Sequence, residues 1–172
     1  MKKQYRGAME ALYLACVAVS GAALVAITLF IPAGVFMRYV MNNPMSWPEP
    51  ASVVLMVMFS FLGGAAVYRA NIHVAVEALL NAVPATTRRA MLWCVDACMG
   101  AMALFMLGYG AHLCVITRHQ TMAEFPGLSV AVVYSPIPVA GLLTLLFLIE
   151  RVWLGPAPKS SVMYSDQAAE LE

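Results

Sequence analysis

The sequence predicts an all-α integral membrane protein. It has four transmembrane helices, both termini cytoplasmic (N-in/C-in), and an interfacial amphipathic helix between helices two and three. Three observations predict this. The 172-residue chain is 62% hydrophobic and only 11% charged, against roughly 25% charged in a soluble domain. Its apolar residues gather into four runs long enough to cross a bilayer. Its basic residues crowd into the termini and one connector, and are sparse in the other two.

The first run covers residues 11–37. Lys2, Lys3 and Arg6 precede it, as in a signal peptide. Its length exceeds the ~7–15 residues of a signal's apolar core, so it reads as a retained helix. Pro32 and Gly34 are candidates for a kink. Ala18, Ala22 and Ala26 recur every four residues and predict a smooth packing face. The second run covers 51–68. Pro48 and Pro50 suit its start, because first-turn N–H groups have no intrahelical partner. Ser60 and Gly64 form a small pair one turn apart.

Between the second and third runs, residues 71–83 begin on Asn71 and are then apolar except at His73, Glu77 and Asn81. That i, i+4, i+8 spacing makes one polar stripe on a helix too short to span, so it is expected to lie along the cytoplasmic interface. The third run covers 91–116 and is interrupted by Asp96 and His112. The fourth covers 130–149, with Pro136 and Pro138 in its first turns and Glu150-Arg151 after it. Residues 1–155 thus form a four-helix membrane domain, and 156–172 a mobile cytoplasmic tail.

Orientation follows from ten Lys and Arg residues. Lys2, Lys3 and Arg6 flank the N-terminus. Arg69, Arg88 and Arg89 lie in the middle connector, and Arg151 and Lys159 follow the last run. Only Arg38 and Arg118 remain for the other connectors. The positive-inside rule puts both termini and the middle connector in the cytoplasm. Trp93, Trp153 and Tyr68 then fall at inner ends, and Tyr39, Trp47 and Tyr134 at outer ends, as an interfacial belt.

Asp96 and His112 are expected as buried polar groups. Asp96 lies close to the inner surface, with Arg89, Arg69 or a partner subunit as its counter-ion. His112 is expected to be hydrogen-bonded rather than a ligand. Cys94 and Cys98 sit one turn apart, but no further ligands accompany them, and metal sites need more. The chain nominates no catalytic, cofactor or metal residue: nucleophile elbow, zinc-protease, phosphate-loop and dinucleotide signatures are all missing. No basic tract or zinc-finger spacing points to nucleic acid. What remains is a structural clamp or partner interface at two corners: Arg38, Trp47 and Glu49 at the outer side, Arg69 and His73 at the inner.

These corners carry a family resemblance. Arg38-Tyr39-Val40, Asn42, Pro44, Ser46-Trp47 and Glu49 are followed by Phe61-Leu62-Gly63, Arg69 and Ile72-His73. Phe125-Pro126-Gly127, Tyr134, Pro136-Ile137-Pro138 and Gly141 form a second set. In order and spacing they resemble the small membrane subunit, DctQ type, of tripartite ATP-independent periplasmic (TRAP) transporters. The family commonly has two acidic residues after the Trp; here the pair is Glu49-Pro50. The resemblance implies a small scaffold subunit of a sodium-coupled uptake system for an organic acid, such as a C4-dicarboxylate. Its implied partners are a large multi-span membrane subunit, which holds the sodium and substrate sites, and a periplasmic substrate-binding protein. It implies residence in the bacterial inner membrane.

Two other classes fit a small four-helix membrane protein. A haem-binding anchor of a respiratory oxidoreductase needs axial histidines on facing helices, and only His112 lies within a spanning run. A small proton-coupled exporter needs a carboxylate deep in a helix, and the first helix has none.

Overall fold

The computed structural model describes residues 2–70 and 85–154. The expected interfacial helix, with His73, and the expected tail lie outside the described residues. The described residues form five helices: α1 (Lys2–Tyr39), α2 (Pro48–Ala70), α3 (Ala85–Thr117), α4 (Val130–Tyr134) and α5 (Pro136–Leu154). They supply four stretches long and apolar enough to cross a membrane: Tyr5–Tyr39, Pro48–Ala70, Ala90–Thr117 and Val130–Trp153. Among the described residues there is no strand, only an isolated antiparallel bridge between Thr121 and Ser129. The protein is an all-helical, multi-pass membrane protein.

Several helix boundaries have a local cause. α1 runs through Pro32 without breaking and ends at Tyr39. There the Val40 N–H donates to the Phe36 carbonyl at 2.9 Å and the Asn43 N–H to the Met37 carbonyl at 3.1 Å. Asn42 follows in the left-handed region, φ 49°, which Asn tolerates better than most residues. α2 begins on Pro48, and the buried Ser52 hydroxyl donates back to the Pro48 carbonyl at 2.7 Å. The fourth apolar run is divided at Ser135. Ser129 caps α4, its hydroxyl accepting from the Ala131 N–H at 3.2 Å. α5 then restarts on Pro136, whose missing N–H suits a first helical position.

The helices form a row rather than a closed bundle. α2 lies between α1 and α5, and α5 between α2 and α3. The last of the described helices therefore sits inside the row. α1 packs through Met9, Tyr13, Cys16, Ser20 and Ala23, all buried. Those positions step by four and three residues and make one helix face. The predicted Ala18–Ala22–Ala26 stripe is not that face: Ala18 and Ala22 are exposed, as are Ser60 and Gly64 on α2. The helix is rotated because the larger Met9, Tyr13 and Cys16 give more contact than a row of methyl groups. On the other flank α3 and α5 meet closely. A Cβ on Gly141 would come within 2.9 Å of the Ala103 carbonyl and Leu107 nitrogen, and one on Gly110 within 2.9 Å of Pro138.

Candidate functional site: two charged corners

Two groups of charged side chains lie at opposite ends of the helices. At one end Arg69, near the C-terminus of α2, reaches two carboxylates on two different helices. Its Nε donates to Glu150 Oε2 at 2.8 Å and its Nη2 to Glu150 Oε1 at 3.1 Å. This bidentate fork is the geometry that suits guanidinium and carboxylate best. Its Nη1 donates to Glu10 Oε2 at 2.8 Å. The guanidinium carbon also lies 5.2 Å from the Tyr13 ring centroid and 5.5 Å from that of Phe147. One cation thus ties α1, α2 and α5 together. The Arg69 and Glu150 side chains are each only 3% exposed, while Glu10 is 40% exposed.

A second pair lies one residue along on both helices. Arg151 Nε is 3.3 Å from Asp96 Oδ1 on α3, and the Tyr68 hydroxyl donates to the same oxygen at 3.4 Å. Successive helix residues point 100° apart. Tyr68-Arg69 and Glu150-Arg151 therefore each serve two neighbours, with Arg69–Glu150 on one side and Asp96–Arg151 on the other. The hydrophobic core surrounds this end of the molecule: Met9, Tyr13, Cys16, Ala65, Ala66, Leu143 and Phe147. Buried ions are tolerated when opposite charges and hydrogen bonds satisfy them together.

The opposite corner is looser. Arg38 Nη2 is 3.5 Å from Glu49 Oε2, with the two side chains 50% and 81% exposed. Trp47 stands edge-on to Phe30, ring centroids 5.4 Å apart. Between the ends of α1 and α2 runs an apolar groove of about 280 Å³, with Arg38, Tyr39 and Glu49 at its mouth.

Several expectations are corrected by this geometry. The cation of Asp96 is Arg151, not Arg69, whose guanidinium is already occupied by glutamates; the side chain of Arg89 lies outside the described set. Asp96 is half-buried, with its side chain 17% exposed. His112 is exposed, not buried. It lies half a turn around α3 from Ala103, the position that packs on α5. Tyr68 is buried and bonded to Asp96 rather than standing in an interfacial belt. Glu10, Tyr13, Phe147, Glu150 and Arg151 join the site with no motif to mark them in the sequence. The available signal was that Glu10, Arg69 and Glu150 are opposite charges at matching ends of three apolar runs. Among the described residues, no three His, Cys, Asp or Glu side chains gather as a metal site would require.

Comparison with known proteins decides the family. Residues 27–155 match the model for the DctQ component of tripartite ATP-independent periplasmic transporters. The chain belongs to the DctQ family. The match takes in α2 to α5 and the Arg38 corner, although Glu10 and Tyr13 precede it. This DctQ protein is also 27% identical over 143 residues to a Haemophilus influenzae protein named as a TRAP transporter small permease protein, covering 83% of this chain and 86% of that one. It is thus the small membrane component of a TRAP transporter, a transport protein.

Proposed function

We propose that this DctQ protein is a rigid scaffold subunit of a sodium-coupled transporter that takes up an organic acid, a C4-dicarboxylate or a similar carboxylate. Its large multi-span partner carries the transport site, and a periplasmic binding protein delivers the substrate. The Arg38 corner faces the periplasm and the Arg69 corner the cytoplasm, in the bacterial inner membrane. The observation that carries this reading is the Arg69 triad. Three helices are pinned by one buried guanidinium, and such a network favours one fixed arrangement over a moving one. A subunit of this kind gives a mobile partner something to move against. Arg38, Trp47 and Glu49 hold the corner that would meet the partner or the binding protein.

The test is reconstitution in vesicles. Uptake of a C4-dicarboxylate is expected only with both membrane subunits, the binding protein and a sodium gradient present. Uptake by this chain alone would sink the proposal. Uptake unaffected by replacing sodium with potassium would remove the sodium coupling.

A further inference from the structure

The groove at the Arg38 corner has the dimensions and chemistry of a lipid site. Its apolar wall is formed by Ile27, Phe30 and Val35 of α1 and by Val53 and Met56 of α2. Ser52 also lines it, but its hydroxyl is turned to the Pro48 carbonyl and offers the groove little polarity. From Ile27 to Arg38 is about 16 Å along a helix at ~1.5 Å per residue. One leaflet of a bilayer core is about 15 Å deep. The groove therefore runs from the membrane surface to about the midplane, as an acyl chain does.

Its mouth carries one cation and one anion. Arg38 and Glu49 meet through a single 3.5 Å contact and both stay exposed, so each has most of its hydrogen-bonding capacity to offer. We propose that the groove binds a zwitterionic phospholipid with a primary ammonium headgroup, phosphatidylethanolamine. One acyl chain lies along the wall, the phosphate takes Arg38, and the ammonium donates to Glu49. The paired charges select this class. An anionic headgroup would meet the Glu49 carboxylate, and the quaternary ammonium of phosphatidylcholine has no N–H to donate to it.

Native mass spectrometry of the full chain in mild detergent, titrated with phosphatidylethanolamine, phosphatidylcholine and phosphatidylglycerol, tests this without reference to transport. One retained phosphatidylethanolamine per chain is expected, preferred about five- to tenfold over each of the others. Glu49→Gln should reduce the preference over phosphatidylcholine, because the amide oxygen still accepts from the ammonium but carries no charge. Arg38→Gln should weaken all three lipids. Val53→Trp, at an exposed position of the wall, should block retention. Equal retention of the three lipids by the unaltered chain, preference for phosphatidylglycerol, or retention unchanged by Arg38→Gln and Glu49→Gln would each overturn the proposal. Because the readout is bound lipid, a failed uptake assay leaves this result standing, and the reverse also holds.

Discussion

At the scale of single residues, Arg69 dominates. Its removal leaves Glu10 and Glu150 facing a gap beside Tyr13 and Phe147. Breaking a buried ion pair by deleting one partner costs about 3–5 kcal/mol. Arg69→Ala is therefore expected to lower stability by that amount in denaturant or thermal unfolding of the detergent-solubilised protein. Arg69→Lys should lose less, because it keeps the charge but not the fork. The opposite sign is expected beneath it. The Tyr13 hydroxyl is buried with no hydrogen-bond partner among the described residues, and leaving such a group unsatisfied costs about 1–3 kcal/mol. The Tyr13 ring serves as a surface for the guanidinium, and a phenyl ring does that equally. Tyr13→Phe should leave the same unfolding midpoint unchanged or raise it; a clear drop would mean that the hydroxyl has a partner. Arg69 was legible in the sequence as a corner residue, but its partners were not. Pairing depends on which helices are neighbours and how each is rotated, and neither is written in a hydropathy pattern. Asp96 shows the same limit: Arg69 and Arg151 both lie near the same membrane surface, and only the position of α5 inside the row decides between them.

Individual helices were the most legible part of the chain, for a physical reason. A backbone in hydrocarbon must satisfy its own hydrogen bonds, so a long apolar run has few alternatives to a helix. Which face of each helix is used was less visible. Alanine spacing pointed to Ala18 and Ala22, whereas α1 packs through Tyr13, Cys16 and Ser20. His112 follows the same rule: the sequence gives its position along the helix but not its direction around it. The α3–α5 seam gives a sharp test at this scale. Gly141 faces the backbone of α3, and a backbone cannot move aside like a flexible side chain. Gly141→Leu should push the two helices apart, cost about 1–3 kcal/mol or more, and loosen the Asp96–Arg151 pair further along the seam. Gly21→Ala, where an added Cβ meets nothing within 4 Å, should be neutral or slightly stabilising by helix propensity. Equal unfolding midpoints for the two variants would contradict the close contact at Gly141.

For the whole molecule, the two corners differ in strength and should fail differently. An exposed pair such as Arg38–Glu49 contributes about 0.2–1 kcal/mol. Arg38→Ala and Glu49→Ala should therefore barely change the stability of the isolated chain, yet reduce uptake by the assembled transporter. Unchanged uptake and assembly in both variants would leave these residues as interface anchors only. A row with α5 on the inside also has a history. The ribosome delivers α1, α2 and α3 before α5 exists, so for a time Arg69 has Glu10 but not Glu150, and Asp96 lacks Arg151. Both remaining counter-charges arrive together, at adjacent positions of α5. A chain truncated after Thr117 would carry an aspartate in the membrane without its partner and should be degraded faster than the full chain in a pulse-chase measurement. The adjacent Glu150 and Arg151 thus link the survival of the protein to the arrival of α5.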